Sequence, residues 1–189
     1  NTLLIPGGQR YLPREVAVEG DYSNAAFFGA LAAFGDDVTV TGLQPSLQGD
    51  RVYARCFEQL RQGMATIDVT DCPDLGPILM AAAAVLHGVV LTGTRRLRIK
   101  ESDRLSAMAA ALTAAGADAA ELPDGLAIHG GKPLHAAKIE GRNDHRIVMA
   151  MTIASALSDG EWTITDAEAT AKSAPAFWQE FERLGGRAR

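Results

Sequence analysis

Aromatic side chains are scarce in this chain, at 6% of residues, so the core that 47% hydrophobic residues allow must be built from Ala, Leu, Val and Ile. Runs such as Ala25 to Phe34 set small side chains together, which favours closely packed helices. Cysteine is nearly absent. Cys56 and Cys72 have neither metal-ligand spacing nor the pattern of a disulfide framework, which fits a reducing cytoplasm. Cys56 lies in a helical apolar pattern with Val52, Phe57 and Leu60 and reads as a buried thiol rather than a nucleophile. There is no excess of basic residues: a net charge of -5 argues against non-specific nucleic-acid binding, and any anion site must be local. The longest apolar stretch, Ile78 to Leu86, falls far short of the roughly 20 residues that cross a bilayer, and no secretion signal precedes it. His87, His129 and His135 share no ligand spacing, so no metal is assigned.

What is present is a dense charged run. Arg98, Lys100, Glu101, Asp103 and Arg104 lie within seven residues, followed by the periodic apolar positions Leu105, Met108, Ala109 and Leu112. A helix start explains part of this, with Ser102 or an acidic neighbour as its cap. The cations are left over. Lys100 and Arg104 can face a bound anion with Glu101 between them as a proton carrier, as a phosphorylated substrate would require. The plainer reading is a solvated helix start with local ion pairs.

A similar order of elements recurs along the chain. The first pass reads as a strand (Glu15 to Val18), an Ala-rich helix (Ala25 to Phe34), a second strand (Val38 to Leu43) and an amphipathic helix (Arg51 to Arg61). The second pass has a strand at Thr66 to Thr70, a helix at Ile78 to His87, a strand at Val89 to Thr92 and a helix at Ser102 to Ala115. It adds a hairpin, Ala117 to Leu122 and Leu126 to His129, turning at Pro123 to Gly125. Between Arg61 and Ile67 there is room only for a turn, so the first pass lacks that hairpin. The third has strands at Ala136 to Glu140 and Trp162 to Thr165, a helix at Ile147 to Leu157, and a last helix at Ala176 to Leu184 just after Pro175. It stops without a hairpin, which suggests strands supplied from elsewhere in a longer chain. Asn1 in place of an initiator Met reads as processing or as a piece of something longer.

Polar clusters lie where these helices begin: Glu19 to Asn24, Cys72 to Pro77, Arg98 to Arg104, Asn143 to Arg146 and Thr170 to Ser173. Helices aimed at one face offer unpaired N–H groups there, so the loops together would form an anion-binding floor. Taken singly, Asp74 reads equally as a helix cap, Asn143 or Asp144 likewise, and Lys172 as a solvated lysine. His145 beside Arg146 opposes the helix dipole, a conflict that an anion would relieve.

Three motifs in this order and spacing, Arg98 to Leu105, Asn143 to Arg146 and Ala171 to Pro175, resemble the C-terminal half of the 5-enolpyruvylshikimate-3-phosphate synthases. Pro6 to Gln9, Val18 to Asp21, Gln48 to Asp50 and Pro73 with Asp74 support the match along the whole chain. The resemblance implies a mixed α/β fold, one lobe of the enolpyruvyl transferase architecture. This is an inside-out α/β barrel of three βαβαββ pseudo-repeats around buried parallel helices, here about 14–65, 66–132 and 133–189, the third completed by strands from the N-terminus of a full chain. Residues 1–189 would form a single C-terminal lobe, with an N-terminal lobe absent.

The implied reaction transfers the enolpyruvyl group of phosphoenolpyruvate to the 5-hydroxyl of shikimate 3-phosphate by addition and elimination of phosphate. It is a cytoplasmic step of aromatic amino acid biosynthesis, needs no cofactor, and is the target of glyphosate. Arg104, Arg146 and Lys172 align with the family's phosphoenolpyruvate-binding cations. Asp74 aligns with a carboxylate that contacts the shikimate hydroxyls and is a candidate base. Glu101 aligns with the acid/base near the methylene carbon, Lys100 with a lysine near the attacking oxygen, and His145 with an orienting group at the phosphoenolpyruvate end. Arg96 falls where some relatives place an Asn on the shikimate side and is not assigned. One lobe holds half of the site, so the resemblance implies an inactive chain by itself and a monomeric parent enzyme. Two alternatives stand beside this reading: the sister transferase acting on UDP-N-acetylglucosamine, which lacks this pairing of motifs, and a non-catalytic anion-binding domain.

Overall fold

The fold follows the three passes, with one departure. The computed structural model describes residues 2–158 and 160–189. In the first pass α1 (Tyr22–Phe34) is followed by a 3-10 turn at Gly49–Val52 and by α2 (Tyr53–Gln62). The second contains β1 (Ala65–Asp68), α3 (Gly76–Val85), β2 (Val89–Thr92), α4 (Arg104–Ala114) and the hairpin β3 (Asp118–Leu122) and β4 (Gly125–His129). The third contains β5 (Lys138–Ile139), α5 (His145–Ser155), β6 (Thr163–Ile164) and α6 (Phe177–Arg183).

The departure is in the first pass, where neither Glu15 to Val18 nor Val38 to Leu43 forms a strand. Their alternating apolar pattern is real, but Val16 and Val18 find no surface to cover and stay 79% and 94% exposed. A strand also needs a ladder partner, and the hairpin that pairs with β2 in the second pass has no counterpart here. The two segments do meet, since a Cβ at Gly20 would lie 3.1 Å from the carbonyl oxygen of Gly42. Side chains bridge them instead: the Gln48 amide donates to the Gly20 carbonyl at 2.9 Å, and the Tyr22 hydroxyl donates to the Gln44 carbonyl at 2.7 Å.

The first helices of the passes, α1, α3 and α5, touch one another and form the centre of the fold. Gly76 to Ala84 of α3 and His145 to Ala154 of α5 are buried on every side, which is why neither segment shows a polar face. Small side chains make the close approach possible: a Cβ at Gly76 would meet the Leu97 side chain at 2.8 Å. The four-stranded sheet runs in the order β1, β2, β4, β3, parallel between β1 and β2 and antiparallel elsewhere. Val89 and Leu91 of β2 lie opposite Ile128 and Leu126 of β4, and all four are fully buried. A second, two-stranded parallel sheet joins β5 to β6.

α1 is capped by Asp21, which accepts from the N–H groups of Ser23 and Asn24, α4 by Asp103, and α5 by Asp144. The starts of α3, α4 and α5 come together, because Arg104 and Arg146 both reach Asp74.

Candidate active site

Asp74 lies in a one-turn 3-10 helix, Pro73–Leu75, immediately before α3. Its side chain caps nothing. Instead Oδ1 meets Lys100 Nζ at 3.1 Å and Arg104 Nη1 at 2.9 Å, and Oδ2 meets Arg146 Nη2 at 3.6 Å. Burial pushes its carboxyl up, but the charges of Arg146, Lys100 and Arg104 outweigh that and leave it below the usual carboxylate range.

Arg104, the first residue of α4, has its side chain 1% exposed and is held by three carboxylates. Besides Asp74 these are Glu101, with Nη2 to Oε2 at 2.5 Å, and Asp144, with Nε to Oδ2 at 2.8 Å and Nη2 to Oδ1 at 3.1 Å. Burial works against the guanidinium's charge, and the hydrogen bonds and charge of Asp144 more than restore it. Asp144, itself fully buried, stays ionised in turn: burial raises its pKa, and Arg104 brings it below the ordinary value.

His145 is buried, and burial together with Arg146 pushes its pKa down, so the ring is neutral near pH 7. Its Nδ1 has no hydrogen-bond partner and stands 3.9 Å from Glu101 Oε1. Lys172 ends the 3-10 helix Ala167–Lys172 and donates from Nζ to the Asn143 carbonyl at 2.5 Å and to Asn143 Oδ1 at 2.9 Å. Arg142 and Asn143 both have positive φ, 54° and 50°, a sharp turn within the segment that leads from β5 into α5.

Asp74, Lys100, Glu101, Arg104, His145 and Arg146 therefore form one cluster, with Lys172 joined to it through the residue before Asp144. Arg96 stands apart, donating to the Thr70 carbonyl at 3.3 Å. Three sequence expectations change in form. Asp21, Asp103 and Asp144 occupy leading N–H groups of α1, α4 and α5, so of the five expected helix starts only those of α3 and α6 carry no side-chain cap; the cations offered to an anion are side chains. The conflict at His145 and Arg146 is likewise relieved from within, by the Asp144 carboxylate and a neutral imidazole. Ser102 is not the cap of α4; it donates to Asp144 Oδ2 at 2.9 Å.

A profile of the family described as EPSP synthase (3-phosphoshikimate 1-carboxyvinyltransferase) matches residues 1–181. The chain belongs to the EPSP synthase family. It is 39% identical over 201 aligned positions to a 3-phosphoshikimate 1-carboxyvinyltransferase of Clostridium novyi, covering 97% of this chain and 46% of the relative. With the protein of the same description from Halobacterium salinarum it shares 37% over 207 positions, covering 96% of this chain and 48% of the relative. An EPSP synthase structure from Acinetobacter baumannii superposes with a TM-score of 0.60 at 29% identity, over 89% of this chain and 40% of that one. The chain thus spans about half the length of the EPSP synthase relatives it matches.

The clustered side chains can bind an anion and move protons. Asp74, Glu101 and Asp144 face Lys100, Arg104 and Arg146, three charges against three, so an incoming phosphate must displace Asp74 or Glu101 from its cation. Among the described residues no group of three or more His, Cys, Asp or Glu is placed to hold a metal ion. Cys72, two residues from Asp74, is no nucleophile: burial, with Cys56 and nearby carboxylates, pushes its thiol up to about 12. The residue that motif reading underrated is Asp144. Its position inside the motif Asn143 to Arg146 was the available signal, and a capping role hid the rest.

Proposed function

We propose that this chain is the C-terminal lobe of an enzyme that transfers the enolpyruvyl group from phosphoenolpyruvate to the 5-hydroxyl of shikimate 3-phosphate. The observation that carries this reading is the cluster itself: acid/base groups and cations from motifs 40 residues apart, Arg104 and Asp144, meet at one place in a member of the EPSP synthase family. Arg104, Arg146 and Lys172 receive the phosphate and carboxylate of phosphoenolpyruvate. The 5-hydroxyl oxygen attacks C2 of phosphoenolpyruvate and loses its proton toward Asp74 beside Lys100, a proton that later leaves with the phosphate, while Glu101, protonated once the incoming anion has displaced it from Arg104, gives its proton to the methylene C3, which becomes a methyl group. Glu101 then removes a proton from that methyl as the C2–O bond to phosphate breaks, leaving an enolpyruvyl ether and inorganic phosphate. His145 orients the phosphoenolpyruvate end.

The reading includes a partner. Residues 1–189 act as a single lobe of three pseudo-repeats, about 14–65, 66–132 and 133–189. A second lobe supplies the remaining substrate contacts, and the complete enzyme works as a cytoplasmic monomer. Strands from elsewhere in that longer chain complete the third repeat beside β6, where a cleft of about 1370 Å³ is lined by Leu31, Trp162, Trp178 and Phe181. No helix among the described residues is long and apolar enough to cross a membrane.

The test is phosphate release by the complete two-lobed protein given phosphoenolpyruvate with shikimate 3-phosphate or with UDP-N-acetylglucosamine. Turnover with shikimate 3-phosphate alone, and none by residues 1–189 in isolation, is the expected result. Turnover with the nucleotide sugar instead, or normal rates from the isolated chain, would overturn the reading.

A further inference from the structure

Asp144 makes four hydrogen bonds, which is more than a helix cap requires. Oδ2 accepts from Arg104 Nε at 2.8 Å and from Ser102 Oγ at 2.9 Å. Oδ1 accepts from Arg104 Nη2 at 3.1 Å and from the Arg146 backbone N–H at 3.0 Å. Capping alone would need only the last of these, and an uncharged Asn would serve it equally. The other three reach across to the charged run that precedes and begins α4. The carboxylate is thus the physical link between the two motifs, and it is 0% exposed, so no solvent substitutes for any of its partners.

The side of Arg104 that Asp144 holds also matters. Nε and Nη2 form one edge of the planar guanidinium, and a carboxylate engaging both fixes the plane and the rotation of the group. The opposite edge, Nη1 with the second hydrogen of Nη2, is left to Asp74 and Glu101, whose side chains are 30% and 40% exposed. One edge of Arg104 is therefore anchored in the interior while the other faces exchangeable, solvent-reached partners. The same carboxylate sets the first turn of α5, and with it His145 and Arg146.

We propose that Asp144 is the positioning residue of the site, clamping the inner edge of Arg104 so that its outer edge is presented to an anionic group of phosphoenolpyruvate while fixing the start of α5. The identity of the ligand rests on the function proposed above; the clamp itself does not.

Asp144→Asn keeps the shape and the cap but loses the charge. In residues 1–189 the Arg104 Nε–H resonance of the variant should shift and exchange faster with water, and affinity for inorganic phosphate should fall about tenfold. In the complete protein kcat/KM for phosphoenolpyruvate should fall about 100-fold while KM for shikimate 3-phosphate stays within about threefold. Arg104→Lys should cost a similar factor, and the double variant little more than either single one, because both remove one unit. Unchanged phosphate affinity and an unchanged Arg104 resonance would overturn the proposal, as would equal damage to both substrates or losses that multiply. If Asp144→Asn does not fold, Ser102→Ala removes one bond of the four and decides: a rise of about threefold in KM for phosphoenolpyruvate is expected, and none would overturn the clamp. If the wild-type complete protein does not turn over these substrates, the proposed function fails, while the resonance and the phosphate affinity still judge the clamp.

Discussion

Asp74 gathers the cations of the cluster: Lys100, Arg104 and Arg146 converge on one carboxylate. In the proposed site a phosphate would compete with it directly. Asp74→Asn removes the competitor, so affinity of this chain for inorganic phosphate, measured by calorimetry, should rise about tenfold. Stability should fall by about 1–3 kcal/mol, since Arg104 and Arg146 are buried and lose a charged partner. Phosphate affinity that does not change would show that the three cations are not held by Asp74. His145 leads to a second expectation, in pH. Burial and Arg146 lower its pKa in the folded chain below the ordinary 6.5. As pH falls through 6.5 the unfolded chain takes up a proton that the folded chain still refuses, so stability must decline in that range. Urea unfolding of the wild type at pH 7.5 and pH 5.5 should show this loss, and His145→Gln should show less of it. Identical pH dependence in the two proteins would mean that His145 is not kept neutral by the fold.

At the scale of elements, each pass sets an aspartate where its first helix begins: Asp21 and Asp144 cap α1 and α5, and Asp74 precedes α3 but faces the cations. Asp103 caps α4, accepting from the Ser106 N–H at 3.1 Å, and pairs with Arg98 at 3.0 Å on the surface. Asp103→Ala should lower stability by about 1 kcal/mol through the lost cap, with little added by the exposed ion pair. A thermal melt several degrees lower, with the cluster at Arg104 still binding phosphate, is the expected outcome; an unchanged melt would remove the cap from the account. The helices and the second-pass strands were legible because their own periodicity carries them: Val89 to Thr92 alternates between core and half-buried positions, and α3 is apolar throughout. The strands of the first pass were not, because Val38 to Leu43 has the right pattern and no partner to pair with, and pairing is a property of the whole fold. Asp144 was hard to read for the same reason. Local sequence shows a cap, while the bonds to Ser102 and Arg104 come from 40 or so residues away.

For the whole molecule, chemistry and cavity lie at opposite ends. The charged cluster sits where α3, α4 and α5 begin, whereas the large cleft lies beside the C-terminal ends of α1 and α5, against Leu31, Thr152 and Ser155. The first residues lie outside this frame. Residues 2–19 are exposed throughout, with Leu3, Leu4, Ile5 and Leu12 each at least 73% accessible, and they belong to no helix or strand. Stabilisation by apolar side chains comes from area removed from water, about 25 cal/mol per Å², and these side chains remove almost none. The one side-chain bond among residues 2–13, from the Gln9 amide to the Pro6 carbonyl at 2.6 Å, is local and exposed. A chain lacking residues 1–13 should therefore unfold in urea within about 0.5 kcal/mol of the full chain, and with the same slope, because the slope follows the surface exposed on unfolding. Limited proteolysis should cut first in this segment and leave a fragment that still binds phosphate. A truncated chain less stable by several kcal/mol, or with a smaller slope, would mean that these leucines are buried in solution, within the lobe or against another copy of it.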